Sequence, residues 1–190
     1  MYSQLGAWFK LCSKTPWPLE LARAIDDEMI IRSESGHHYD AVRQLHVDAF
    51  PTSAEADLVD RLRADGDAII SLVAFEHDRP IGHVMLSKMD APFMALGLAP
   101  IAVAKAWRRR GVAARLIEAG IRQAKADGWD AIFVLGEPSY YRRFGFSARE
   151  AARFDSLYAG PGFMSMALGE RDLTAFSGRI DYAPAFKSLG

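Results

Sequence analysis

Residues 98–126 combine three patterns that restrict the fold of the whole chain. An apolar run over 98–104 is typical of a β-strand, and it leads into a short basic segment, 105–113, that contains Gly111. A helical pattern follows directly, with apolar residues recurring at intervals of three and four. The first amides of a helix have no partners within the helix and lie at the positive end of its dipole. Such a turn therefore predicts an anion-binding site.

Positive charge is concentrated at this turn. Arginines occupy positions 108–110 and 115, with a smaller pair at 142–143, whereas the chain as a whole has a formal net charge of −1. A near-neutral protein gives no general electrostatic reason to bind nucleic acid, and a local cluster suits a small polyanion better than a polymer. We therefore expect no nucleic-acid partner. A solvated basic helix end is the alternative interpretation.

Composition narrows the class of protein further. The single cysteine, Cys12, permits no intrachain disulfide and indicates a reducing cytoplasm. No apolar run approaches the roughly 18 residues that a membrane span requires, and the N-terminus lacks the pattern of a secretory signal. The length of 190 residues is typical of one domain with a sizeable core. We expect that domain to cover 29–169, after an extension, 1–28, and before a tail, 170–190.

The order of the patterns predicts a mixed α+β fold. Segment 81–88 pairs with its predecessor as an antiparallel hairpin, whereas a helix between two strands over 94–135 makes those two strands parallel. Gly97 and Pro100 inside one strand predict a bulge there. The predicted strands are 29–32, 68–75, 81–88, 94–104, 130–135, 146–149 and 164–168, and the predicted helices are 37–50, 54–64, 112–126 and 138–144.

Two short motifs, in this order, resemble the GCN5-related N-acetyltransferase (GNAT) superfamily. Arg108-Arg109-Arg110-Gly111-Val112-Ala113 fits the family pattern Arg/Gln-x-x-Gly-x-Gly/Ala, and Tyr140-Tyr141-Arg142-Arg143-Phe144-Gly145-Phe146 is similar to its Tyr-x-x-x-Gly-Phe segment. Residues 134–138 resemble the bacterial YhbS-like branch, which lacks an Asn common elsewhere in the family. The resemblance covers about 29–168. It implies a GNAT-like fold with a central mixed sheet of six or seven strands and about four helices on both faces.

The resemblance also implies acetyl-CoA as co-substrate. In this family the basic turn holds the pyrophosphate, where backbone amides and arginines can meet it. The amide-rich arm of the cofactor can pair with the exposed edge of the preceding strand. The implied cofactor-binding residues are Ile101, Ala102, Val103, Arg108, Arg109, Arg110, Gly111, Val112 and Ala113.

The implied reaction is attack of a neutral primary amine on the acetyl thioester. It needs a base, a donor for the tetrahedral oxyanion and an acid for the departing thiolate. Tyr141 occupies the family's position for the acid, and a backbone N–H near Val103 would be the oxyanion donor. Tyr140 is more typical of a core residue. The base stays open between a relayed water and three side chains, which are Glu55, His83 and Glu137.

Several features are left open by the sequence. The acceptor can be a small molecule, a peptide N-terminus or a lysine, and a homodimer is one option for the assembly. The spacing of the five histidines fits no metal-binding motif, so we expect no metal. A non-catalytic acyl-CoA-binding or sensing module on the same fold is the alternative function, since it needs the basic turn but neither acid nor base.

Overall fold

The computed structural model describes residues 29–169 and 173–189, so the predicted extension 1–28 lies outside the described residues. Its centre is a six-stranded sheet with the order β1-β2-β3-β4-β5-β7, and a second sheet pairs β6 with β8. The strands are β1 (Met29–Ser33), β2 (Ala68–Glu76), β3 (Arg79–Lys88), β4 (Ala95–Val103), β5 (Ala131–Leu135), β6 (Phe154–Asp155), β7 (Phe163–Ala167) and β8 (Gly178–Arg179).

Among the described residues, three longer helices and two single-turn helices flank the sheet. They are α1 (Tyr39–Ala49), α2 (Ala54–Ala64), α3 (Val112–Ala126), α4 (Pro138–Tyr141) and α5 (Ala148–Ala151). Short 3₁₀ segments are Gly36–His38, Lys105–Trp107, Arg142–Phe144, Leu173–Ala175 and Pro184–Leu189. Helix α3 forms where the sequence predicts it because its apolar residues recur on one face, which is buried against the sheet.

The sheet changes direction in its middle. Strands β1 to β4 are antiparallel, β4 and β5 are parallel as the intervening α3 predicts, and β7 is antiparallel to β5. Residues 95–97 of β4 pair with 131–133 of β5, and the pairing ends there, so the two strands diverge towards Val103. The register of β4 against β3 shifts between Leu98 and Ile101, which confirms the predicted bulge around Pro100.

Two apolar cores lie on opposite faces of the sheet. Helices α1 and α2 cover one face with Val42, Leu58 and Leu62, and α3 covers the other with Leu116 and Ile117. This layering follows from strand alternation, since neighbouring residues of a buried strand point to opposite faces. It leaves the diverging ends of β4 and β5 between the two layers of helices.

Two segments differ from their sequence-based description. The predicted strand 146–149 is wrong: Ser147 makes one isolated bridge to Ser165 and then caps α5 by accepting from the Glu150 amide at 3.4 Å. The tail shows little sequence pattern, yet its described part, 173–189, buries Tyr182 and Phe186 in the α1–α2 core. The domain end at 169 stays a sequence prediction.

Candidate active site

The diverging end of β4 presents an open strand edge. The Ala104 amide donates to the Ile81 carbonyl of β3 at 2.9 Å. Backbone groups alternate in direction along an antiparallel strand, so the amides of Ile101 and Val103 point away from β3, towards the gap where β5 has diverged. This edge can accept an extended, amide-containing chain as an added strand.

The open edge of β4 leads directly into the start of α3. Arg109 and Gly111 both have left-handed backbone conformations, with φ of 63° and 83°. The Arg115 amide makes the first bond of the helix, to the Gly111 carbonyl at 3.0 Å. The amides of Val112 and Ala113 precede that bond, and no side chain within residues 29–169 and 173–189 caps the helix. The loop therefore presents successive amides at the positive end of a 15-residue helix.

The Arg108 side chain bonds to two backbone carbonyls, a role that the sequence does not reveal. Its Nε donates to the Val103 carbonyl at 3.2 Å, and its Nη2 donates to the Ala49 carbonyl at 2.9 Å. The guanidinium thus joins the end of α1 to the end of β4. Arg109 and Arg110 are exposed, and Arg110 lies 5.1 Å over the Trp107 ring. These two arginines flank the amides of the loop.

Tyr141 lies beside the diverging end of β5. Its ring rests on Gly136, where an added Cβ would come within 2.4 Å of the tyrosine Cε2. The rings of Tyr140 and Phe146 meet it edge-on at centroid distances of 5.2 and 5.8 Å. Tyr141 is only 6% exposed, so its ring orientation is fixed by packing. Tyr140 is less buried and lies under the Arg143 guanidinium at 4.0 Å.

The three candidate bases occupy different environments. Glu137 caps α4 by accepting from the Ser139 amide at 3.2 Å, which explains its presence structurally. Glu55 is buried at the start of α2, and burial raises the pKa of its carboxyl. Its Oε2 has no hydrogen-bond partner among the described residues. His83 is fully buried, with both ring nitrogens hydrogen-bonded.

The partners of His83 form a buried polar chain. His83 Nδ1 lies 2.8 Å from His46 Nε2, and its Nε2 lies 2.8 Å from the Ser71 hydroxyl, which donates to Glu34 Oε2 at 2.7 Å. Burial lowers the pKa of both imidazoles, that of His46 to about 3. His46 lies on the buried face of α1 with Val42 and Leu45, and nothing in the sequence marks its chemistry. Glu34 and Ser71 carried no signal in the sequence.

Two classes of site are not found in the part of the chain that the structure describes. Within 29–169 and 173–189, no three His, Cys, Asp or Glu side chains are grouped so that they could hold a metal ion. None of the helices in those ranges is long and apolar enough to cross a membrane.

An open strand edge that leads into an uncapped helix start is an arrangement that suits an acyl-CoA. Residues 39–146 match the Acetyltransferase (GNAT) family, and the chain belongs to that family. It is 32% identical over 166 residues to the uncharacterized N-acetyltransferase YhbS of Escherichia coli K12, covering 83% of this chain and 98% of YhbS. It is 37% identical over 128 residues to the uncharacterized N-acetyltransferase YjhQ of the same organism, covering 63% and 68% of the two chains.

Solved structures agree with this assignment. The crystal structure of E. coli YhbS in complex with CoA superposes with a TM-score of 0.81 and 28% identity, over 94% of this chain and 98% of the other. A GNAT acetyltransferase from Brucella melitensis in complex with acetyl-CoA superposes with a TM-score of 0.70 and 30% identity, over 83% of this chain and 97% of the other. The predicted family, mixed α+β fold and acetyltransferase class are confirmed. The ligands of both relatives agree with the predicted co-substrate.

Proposed function

We propose that this protein transfers the acetyl group of acetyl-CoA to a primary amine by direct attack in a ternary complex. The observation that carries the proposal is the continuity between the open edge of β4 and the uncapped start of α3. An acyl-CoA has an amide-rich arm joined to a diphosphate. An open strand edge that runs into a helix N-terminus matches those two parts in their order.

Each predicted cofactor residue has a role in this proposal. The amides of Ile101 and Val103 pair with the arm, and those of Val112 and Ala113 meet the diphosphate. Gly111 supplies the left-handed turn without a side chain over the loop. The exposed arginines supply charge-assisted bonds to phosphate oxygens. Ala102, whose backbone faces β3, holds the strand in register rather than contacting the ligand, and Arg108 acts through its bonds to Val103 and Ala49.

The chemistry uses groups on both sides of the gap. The Ile101 and Val103 amides are the donors available to a tetrahedral oxyanion at the strand edge. Tyr141 is the acid that gives its phenolic proton to the departing sulfur and recovers one from the amine. The acceptor approaches from the face covered by α1 and α2, since α3 and the cofactor loop occupy the other. Its kind, whether small molecule, peptide N-terminus or lysine, belongs to this proposal, as does a location in the cytoplasm.

Two measurements test the function. Saturating acetyl-CoA should raise the melting temperature, because a ligand at 100 times its Kd stabilises the folded state by about 2.7 kcal/mol. A mass-detected turnover screen should then use propylamine, 2-phenylethylamine, a tripeptide with a free N-terminus and Nα-acetyl-lysine amide. Unchanged melting would refute the cofactor assignment. A clear shift with no acetylated product from a broad amine panel would favour the sensing module instead.

Tyr141→Phe tests the proposed acid. We expect kcat to fall by about 10²-fold or more, because general acid catalysis contributes roughly that much. The Kd for acetyl-CoA should stay within about twofold, since the ring still packs on Gly136. Tyr140→Phe is the matched control, because it removes a neighbouring hydroxyl that has no part in the proposed chemistry. A large loss of cofactor affinity in Tyr141→Phe would assign Tyr141 a structural role.

A further inference from the structure

The buried chain His46–His83–Ser71–Glu34 joins a helix, two strands and the segment after β1, and the proposed cofactor site uses none of its side chains. His46 lies on α1, His83 on β3, Ser71 on β2, and Glu34 follows β1. Both imidazoles are completely buried, and the Glu34 side chain is 3% exposed. A buried polar chain of this length is costly unless every member is bonded. One atom at its end, His46 Nδ1, bonds to none of the described residues.

Hydrogen-bond direction along the chain follows from its carboxylate end. Arg63 donates to both oxygens of Glu34, so this carboxyl accepts hydrogen bonds on both of them. The Ser71 hydroxyl donates its only proton to Glu34, so its oxygen accepts a hydrogen bond from His83 Nε2–H. The Nδ1 of a neutral His83 is then an acceptor and receives the Nε2–H of His46. The Nδ1 of His46 is then unprotonated, and its lone pair accepts from none of the described residues.

The position of His46 relates this lone pair to the proposed thioester site. His46 lies one turn before the end of α1, where its carbonyl accepts from the Phe50 amide at 3.1 Å. Arg108 ties the Ala49 carbonyl of that same turn to the Val103 carbonyl on the open edge of β4. His83 pairs across the ladder with Ala102, between the two outward-pointing amides. His46 therefore bonds to the residue of β3 that pairs with the open segment of β4, on the face away from α3.

We propose that His46 Nδ1 is the base that takes a proton from the acceptor ammonium, an inference that rests on the proposed amine acetylation. His83, Ser71 and Glu34 are positioning residues that fix the tautomer and the ring orientation of His46. When Nδ1 accepts a proton, each proton of the chain can shift one place towards Glu34. The positive charge is then not confined to one buried imidazole.

The protons of the reaction balance between the acceptor amine, Tyr141 and His46. The ammonium gives up two protons as its nitrogen bonds to the acetyl carbon and the carbon–sulfur bond breaks. One proton restores Tyr141 after that residue has protonated the thiolate. The other passes to His46 and leaves to water after the products dissociate. No oxidant, reductant or metal is needed.

Charged groups around His46 favour its neutral resting form. Burial and the positive charge of Arg63 both lower its pKa, and its neighbour His83 is neutral for the same reasons. Arg108 lies at the end of the same helix, and Glu34 is neutralised by Arg63. A base that is unprotonated before the amine arrives is what the first step requires. Its imidazolium exists only during turnover, when proton shifts along the chain spread the positive charge.

His46→Gln is the direct test, because the Gln amide can still donate to His83 but has no basic nitrogen. With the best amine of the panel at pH 7, we expect kcat/KM for the amine to fall by about 10²-fold or more. Thermal stabilisation by acetyl-CoA should persist. Without a base only the free amine reacts, so the variant's rate should rise about tenfold per pH unit up to the pKa of the amine used, which is about 10.4 for a lysine side chain and about 8 for a peptide N-terminus. The deficit relative to wild type should shrink accordingly.

Matched variants separate this role from packing. His37→Gln, at an exposed histidine, should leave both rate and pH profile unchanged. Ser71→Ala breaks the chain and should reproduce part of the His46→Gln pH profile. Ser87→Ala removes a buried hydroxyl that bonds to no described residue, and it should leave the pH profile unchanged. If Glu55→Gln alone carries the loss and the changed profile, Glu55 is the base and the assignment of His46 is wrong.

A measurement on the wild-type protein covers the case in which the variants do not fold. Nitrogen-15 NMR of the imidazole rings should show both His46 and His83 as neutral Nε2–H tautomers at pH 7. A proton on His46 Nδ1 would overturn the proposal. Wild type that turns over no amine contradicts the proposed function. Wild type that turns over amines while His46→Gln matches its rate and profile contradicts only the base.

Discussion

Lowering the pH from 7 to 5 should destabilise this protein through its buried histidine pair. An unfolded histidine has a pKa near 6.5, whereas burial lowers that of folded His46 to about 3 and that of His83 well below 6.5. Between these values the unfolded chain binds protons that the folded one excludes. Stability is therefore fully present above pH 6.5 and is lost as the pH falls.

The magnitude follows from the distance between the assay pH and the unfolded pKa. The pKa of unfolded His46 lies about 1.5 pH units above pH 5, so protonation of the unfolded chain lowers the free energy of unfolding by about 2 kcal/mol. If both imidazoles stay neutral, the cost is about 4 kcal/mol. That is a large share of a typical unfolding free energy of 5–15 kcal/mol. Asp and Glu with ordinary pKa values near 4 contribute little over this pH range.

Urea unfolding followed by circular dichroism at pH 7, 6 and 5 measures the effect. His46→Gln removes one titrating group, so its loss over this range should be about 2 kcal/mol smaller than that of wild type. The raised pKa of Glu55 acts with the opposite sign, but it is present in both proteins and cancels in the comparison. Equal losses in the two proteins would mean that folded His46 is already protonated at pH 5, which would refute the reasoning.

Two further predictions concern packing at the site and in the tail. Gly136→Ala places a methyl group within 2.4 Å of the Tyr141 ring, so kcat should fall at least as far as in Tyr141→Phe, while the Kd for acetyl-CoA, measured by calorimetry, stays close to wild type. Phe186→Ala should cost about 3–5 kcal/mol of unfolding free energy, because this tail residue is buried against the α1–α2 core. A loss below 1 kcal/mol in urea unfolding would place the tail outside the folded domain.

Local features of the site could be predicted from the sequence because each is encoded within a short segment. Strand β4, the turn at Gly111 and helix α3 are consecutive in the chain, so periodicity and turn chemistry are sufficient to find them. The open edge of β4 depends instead on where its pairing with β5 ends. Tyr141 was singled out by the family resemblance of the segment that ends at Gly145 and Phe146, and its role stays a proposal. The predicted strand 146–149 failed because a Ser147 cap outweighed a weak strand pattern.

The polar chain could not be found in this way because its members are distant in sequence. His46 and His83 are 37 residues apart, and they meet only when α1 packs on β3. In the sequence His46 occupies an apolar helix position, which is the usual place of a core residue. Its chemistry depends on Ser71 and Glu34, which fix its tautomer from the far side of His83. No local pattern contains that information.

Arg108 explains why the two halves of the proposed site have to fold together. Its backbone begins the cofactor loop, while its guanidinium bonds to Val103 on the strand edge and to Ala49 at the end of the helix that carries His46. Guanidinium donors in a rigid plane fix both carbonyls relative to each other. The proposed cofactor loop and the proposed base His46 are therefore coupled through the Arg108 side chain. A lysine at 108 would keep the charge but lose one of the two bonds, and with it the registration of α1 against β4.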